Sequence, residues 1–172
     1  IRVNERFETS LPGVYAIGDA IGGMMLAHVA SAQGLTVVHA IAGEEAPLCL
    51  DAIPACVYVS PEIASVGLTQ ADCQQRGIEV KVGKALMGAN GRTLIAGGQR
   101  GFIKVVVSAE NGRVLGAQLM CERATDMIDS FTVAIANGLT ATQLMRAVRP
   151  HPTFLEAVGE ALDALDGRAI HS

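Results

Sequence analysis

The sequence predicts an α+β fold, a mainly antiparallel sheet with helices packed on it, preceded by a short strand–helix unit. Three observations predict it. Runs of Val and Ile with the spacing of strands occupy the middle of the 172-residue chain, and helical patterns occupy its last third. A polar stretch holding Pro47 and Pro54, from Glu44 to Pro54, sets both apart from the first residues. Strands gathered first and helices gathered last are the order of an α+β domain, not of a wound parallel sheet.

Taken in order, Val14 to Ile17 is a short apolar run between Pro12-Gly13 and Gly18-Asp19, the pattern of a buried strand. From Leu26 to Ala42 the chain lacks Pro and carries Leu26, Val29, Ala30, Val37, Val38 and Ile41, which predicts a helix ended by Gly43. A boundary near Ala46 gives two units, 1–45 and 46–172. Ala55 to Val59 and Ile63 to Leu68 read as strands, Thr69 to Arg76 as a capped helix, and Glu79 to Leu86 as a strand. Phe102 to Val107 and Arg113 to Met120 flank Asn111-Gly112, a strong hairpin signal, so their pairing should be antiparallel. Helices are then expected over Ala124 to Asn137, Thr140 to Ala147 and Thr153 to Leu165.

Half of the residues are hydrophobic, enough for one sizeable core and part of a second. With a net charge of −4, a pI of about 5.5 and no basic stripe, the footprint of a nucleic-acid binder is missing. No apolar stretch nears the roughly 20 residues that cross a bilayer, and the opening residues lack a signal peptide's apolar region, so a soluble cytoplasmic protein with no membrane partner is expected. Cys49, Cys56, Cys73 and Cys121 are 7, 17 and 48 residues apart, without the close pairs of a zinc or CxxC site, and read as reduced thiols. Gly77 and Gly83-Lys84 miss P-loop spacing, and Ala85 stands where Ser or Thr is needed. Ile1 is not an initiator methionine, and the chain reads as a piece of a longer one.

Two segments carry chemistry. Asp19 lies just past the expected strand, where open α/β sheets bind ligands, and a carboxylate there can accept from sugar-alcohol hydroxyls. The helix beginning near Met25 would turn its amide groups and positive dipole end to the same crevice, suiting a carbonyl or an anionic nitrogen. The plainer reading, at even weight, is that Asp19 only caps that helix or turns the chain. His28 and His39 share a helix face but lie about 16 Å apart, too far for one metal ion. The second segment is Arg149-Pro150-His151-Pro152-Thr153-Phe154-Leu155-Glu156. A histidine beside a carboxylate is a tunable base. Thr153-x-x-Glu156 is equally a capping box, in which Glu156 returns to the Thr153 N–H, and on local pattern this reading is the stronger.

The segment from Thr9 to Asp19, closing on Val14-Tyr15-Ala16-Ile17-Gly18-Asp19, resembles the second FAD-binding motif of the pyridine nucleotide-disulfide oxidoreductases. Met25-Leu26-Ala27-His28 is similar to the stretch by which the lipoamide dehydrogenase branch contacts the flavin ring, with Met24 where that branch has proline. His151-Pro152-Thr153-x-x-Glu156 resembles the same family's dyad signature. The resemblance covers nearly the whole chain and implies the C-terminal part of such an enzyme: an end of the FAD-binding domain, 1–45, and an interface or dimerisation domain, 46–172. It implies His151 as base and Glu156 as its orienting acid, with Asp19, Met25, Leu26, Ala27 and His28 as flavin contacts. It also implies a cis His151–Pro152 bond, FAD and NAD as cofactors, a homodimer, and a 2-oxo-acid dehydrogenase complex or other lipoyl-bearing protein as partner. Arg149-Pro150 replaces the His-Ala usual in that branch and could line the substrate entrance.

The two glycine-rich GxGxxG turns and the cysteine pair five positions apart that such an enzyme needs are not in these residues, so activity is expected of the parent enzyme and not of this piece. A stand-alone dimerisation or scaffold module, or a piece of a mercuric, glutathione-type or transhydrogenase-like relative, stays open. Dimer formation is expected to draw on Met127, Ile128, Phe131, Phe154 and Leu155.

Overall fold

The computed structural model describes residues 1–98 and 100–171. The chain divides into two compact units, Ile1–Ile53 and Pro54–Ser172, a division at the far end of the Glu44-to-Pro54 stretch.

In the first unit the main element is helix α1, Ala27–Ala42, which ends as expected on Gly43 in the left-handed conformation. It buries Val29 and Val37 along one face. The strand expected over Val14 to Ile17 is not formed. Tyr15 makes a single antiparallel bridge to Glu8, and Val14 and Ile17 are exposed. A strand needs a continuous partner, and only the short Phe7–Thr9 stretch lies alongside, with Thr9 donating to the Val14 carbonyl and Ala16 to that of Phe7.

The second unit is the predicted α+β domain. Strands β1 (Ala55–Val57), β2 (Glu62–Gly67), β3 (Val80–Leu86), β4 (Phe102–Ser108) and β5 (Val114–Cys121) form one sheet in the order β1-β2-β5-β4-β3. All four pairings are antiparallel. The β4–β5 hairpin sits at the centre, its turn closed by Gly112 with φ +73° and by the Ser108 N–H on the Arg113 carbonyl. Side chains alternate as a half-covered sheet requires: Ile103, Val105 and Val107 of β4 and Ala117, Leu119 and Cys121 of β5 point into the core.

Helices close that face. The expected Ala124-to-Asn137 helix is two pieces, α4 (Ala124–Met127) and α5 (Asp129–Ala136), joined at Ile128, where the Phe131 N–H makes a tight bond to the Ile128 carbonyl. The remaining helices of the unit are α2 (Gln70–Gln75), α3 (Gly91–Ile95), α6 (Ala141–Met145) and α7 (Glu156–Asp163). Thr69 and Thr140 cap α2 and α6 with full capping boxes. Helix α7 packs on β3 and β4 so closely that a β-carbon at Gly83 would overlap the Ala161 carbonyl oxygen. Each large side chain buried here, such as Phe131, Leu119 or Leu162, contributes about 1.5–3 kcal/mol. Met127, Ile128 and Phe131 are 5%, 2% and 0% exposed inside this single chain, and Phe154 and Leu155 pack against the same core. Met127, Ile128 and Phe131 therefore build the protomer and are not free for the dimer formation expected of them, while Phe154 and Leu155 are only partly buried. The apolar residues left at the surface are others, among them Tyr58, Leu94, Ile95 and Val148.

Candidate active site

Between α6 and α7 the chain makes a loop that Thr153, Glu156 and Asn90 tie down. Thr153 anchors it. Its hydroxyl donates to the Pro150 carbonyl at 2.7 Å, its N–H donates to Glu156 Oε2 at 2.9 Å, and its carbonyl accepts from Asn90 Nδ2 at 3.0 Å. The His151–Pro152 bond is cis, as is Ser60–Pro61. Glu156 opens α7 and uses both oxygens: Oε2 for the Thr153 amide and Oε1 for His151 Nδ1, at 2.8 Å. The two readings of Glu156 from the sequence are therefore compatible. The return half of the capping box is made, while the Thr153 hydroxyl turns to Pro150 instead of to a helix amide.

The electrostatics follow from those bonds. The Thr153 N–H and then the His151 ring hold the Glu156 carboxyl below the usual carboxylate range, so it is ionised at neutral pH. An ionised Glu156 keeps the proton of the neutral imidazole on Nδ1 and leaves Nε2 with its lone pair outward. His151 is exposed and Glu156 half-buried, an open acceptor atom on a fixed support. The pair lines a pocket of about 270 Å³ whose other walls come from the end of β3, the turn into α3, and the tail at His171.

Three residues around the dyad were not identified from sequence, one that supports the loop and two that line the pocket. Asn90 is 7% exposed and caps α3 through Oδ1 on Thr93, yet its amide also holds the loop 63 residues away. Glu160 and His171 form a second carboxylate–imidazole pair at 3.0 Å in the same pocket, and spacing of 11 residues gave no signal. Arg149, expected as an entrance residue, is half-buried and donates to the Ala147 and Leu144 carbonyls at 3.1 and 3.3 Å, and does not line this pocket.

In the first unit Asp19 lies exposed in a 3-10 turn, Gly18–Ile21. Gly18 is buried, its N–H donates to Gln33 Oε1 of α1 at 2.7 Å, and a β-carbon there would press on Ala30 at 2.9 Å. Asp19 does not cap α1, whose N-cap is Leu26 without a side-chain bond. Met25, Ala27 and His28 are exposed around that helix start. Asp19 offers a carboxylate acceptor and α1 starts without a side-chain cap, groups of the kind that a polyol chain and a polar ring edge would use. Gln33, in line with Val29 and Val37 on the buried face, is the supporting residue the sequence reading missed.

Elsewhere, the four cysteines are free thiols, and burial followed by Glu62 and Glu122 pushes Cys121 up to about 12, which makes it a poor nucleophile. Among the described residues no group of three His, Cys, Asp or Glu could hold a metal ion, and no helix is long and apolar enough to cross a membrane.

A five-stranded antiparallel sheet with helices packed on it is an α+β domain consistent with the dimerisation domain of the disulfide oxidoreductase fold. The chain belongs to the pyridine nucleotide-disulphide oxidoreductase family: that family's dimerisation domain matches residues 53–162, and a second match to the family covers residues 1–34. Members use FAD and a pyridine nucleotide. Among curated relatives, a dihydrolipoyl dehydrogenase of Bacillus subtilis is 42% identical over 99% of this chain and 36% of its own length. One from Thermus scotoductus is 43% identical over 99% and 37%, and a mitochondrial one from Caenorhabditis elegans 39% over 100% and 35%. The chain thus spans little more than a third of these relatives. The crystal structure of LpdA from Mycobacterium tuberculosis superposes with a TM-score of 0.88 at 28% identity, covering 95% of this chain and 36% of that one. The HOCl-induced flavoprotein disulfide reductase RclA from Escherichia coli shares the fold, with a TM-score of 0.85 at 24% identity over 94% and 38%.

Proposed function

We propose that this chain is the C-terminal part of a dihydrolipoamide dehydrogenase, supplying the dimer-forming domain and the base of the reaction. The observation that carries this reading is the state of His151, whose Nδ1 is fixed on an ionised Glu156 while Nε2 is left open. His151 Nε2 accepts a proton from a dihydrolipoamide thiol, and Glu156 stabilises the imidazolium that results. The thiolate so formed attacks an enzyme disulfide carried outside these residues: one sulfur–sulfur bond forms, one breaks, and the departing sulfur leaves as a thiol or thiolate. Repeating the exchange with the second substrate thiol closes the lipoyl disulfide and leaves the enzyme reduced by two electrons. When bound, FAD supplies the acceptor through which those electrons reach NAD⁺. Asp19 would accept from its polyol hydroxyls, and the backbone of Met25 to His28 would face its ring. In the assembly we propose, a homodimer brings His151 to the other subunit's disulfide, and a 2-oxo-acid dehydrogenase complex presents the lipoyl group.

The test is His151→Gln in the full-length enzyme, with an expected loss of turnover of about 10²–10⁴-fold. A rate close to the unmodified enzyme's overturns the assignment. The isolated 172 residues are expected to lack activity and to bind FAD only weakly, since they offer groups for the flavin end and none of the glycine-rich turns for the pyrophosphate. Fluorescence titration showing tight binding by the isolated chain would contradict this.

A further inference from the structure

Glu156 and Glu160 stand one turn apart on α7, so their carboxylates lie on one side of the helix. Each does the same thing to a different stretch of chain. Glu156 takes the Thr153 N–H and His151 Nδ1 from the loop before the helix. Glu160 takes the N–H groups of Ile170 and His171, at 2.9 and 3.0 Å, and His171 Nδ1, at 3.0 Å, from the tail after it. All four side chains line the same pocket. The facing wall, from Ala85 and Leu86 to Ala89, Asn90 and Gly91, brings no charge. Of the nearby cations, Arg92 lies over the Phe154 ring at 5.8 Å, and Arg149 is bonded to the carbonyls of α6 and of Ala147 just beyond it. The pocket's charge is therefore set by two imidazoles and two carboxylates.

We propose that Glu160 and His171 are a positioning pair that sets the charge balance around His151, and with it the pH range in which that base works. This rests on the reading of His151 as the base. A positive His171 favours the ionised form of Glu156 and opposes a second positive charge on His151. Burial by itself would raise the proton affinity of Glu160, but the bonds from His171 and Ile170 outweigh it and hold the carboxyl below its usual range. The pocket thus keeps a permanent negative charge opposing that of His171. In the single chain the side chains of His151 and His171 are 78% and 65% exposed, so water and salt weaken their coupling there.

The two members act with opposite sign, which separates this role from mere tethering of the tail. In the full-length enzyme, His171→Asn keeps a donor near the Nδ1 position and removes the charge, and Glu160→Gln keeps an acceptor for the backbone amides. The acid limb of the kcat/KM profile should move to higher pH in H171N and to lower pH in E160Q, each by about 0.3–0.5 unit, with plateau kcat changed less than about twofold. In about 1 M salt, where the screening length is about 3 Å, both displacements should shrink. His171→Gln is a second neutral variant should H171N fold poorly. Limbs that stay in place, or move the same way in both variants, overturn the proposal. His151→Gln run alongside tells the failures apart: if it abolishes turnover while the other limbs stay fixed, only the pair's role falls, and if it leaves turnover intact, the base assignment falls and the pair's role with it.

Discussion

The turn carrying Asp19 and the loop carrying His151 both precede a helix, but they are supported differently. Among the described residues the Asp19 turn is held by one side-chain bond, Gly18 to Gln33, by the bond from Ile1 N to the Ala20 carbonyl, and by close packing of Gly18 on Ala30. The His151 loop is held by four bonds: Thr153 to the Pro150 carbonyl, Thr153 and His151 to the two oxygens of Glu156, and Asn90 to the Thr153 carbonyl from across the domain. Beneath it lies a closed core of sheet and helices, whereas α1 leaves Leu35, Val38 and Ile41 exposed. A catalytic base needs a fixed direction for one atom, which demands a rigid support. A cofactor contact made largely through backbone asks only that the helix start be open. The two sites are consistent with those two demands.

The largest effect that could break this contrast is on the core itself. Phe131→Ala should cost about 3–5 kcal/mol in denaturant unfolding of the second unit, because a fully buried ring is replaced by a void. Next, Asn90→Ala should cost about 1–3 kcal/mol and lower kcat in the full-length enzyme, since it strands the Thr153 carbonyl and frees the loop. Gln33→Ala should cost about 1 kcal/mol and speed amide exchange at Gly18. A loss as large as that from Asn90→Ala would mean that the first unit is as tightly fixed as the second.

The smallest effect is pH-dependent. Glu62 on β2 accepts from the Thr125 hydroxyl at 2.7 Å and amide at 3.0 Å, and those bonds, the hydroxyl's first, hold its carboxyl below the usual range. Because the folded value is depressed, its contribution is present above the unfolded carboxylate range and is lost as pH falls through the folded one. Glu62→Gln should therefore be less stable at pH 7 by an amount on the order of 1 kcal/mol, and the gap should close in strong acid. A gap that persists there would mean the bonds matter and the charge does not.

Local signals were legible wherever the cause is local. Thr69 and Thr140 cap helices through bonds three residues away, Gly43 ends α1 in the left-handed conformation, and Asn111-Gly112 turns the central hairpin. Val14 to Ile17 misled because apolar strand formers need a neighbouring strand, and the first unit provides only a bridge. The helix expected from Thr153 begins at Glu156, since the Thr153 amide and carbonyl are drawn into the loop. Met127, Ile128 and Phe131 looked like surface to spare because a sequence does not state which side of a helix meets the sheet.

By itself the sequence determined the α+β order of elements, the caps and hairpin turn, the His151 and Glu156 pairing five residues apart, and the family to which these belong. Those features depend on bonds within a few residues or on motifs read in order. Only the tertiary structure decided that Asn90 would reach Thr153, that Gly83 would let α7 settle on β3, and that Glu160 and His171 would enter the same pocket as the first pair. Such contacts join stretches up to tens of residues apart. Which distant groups meet is set by how helices pack on the sheet, and no local pattern carries that geometry.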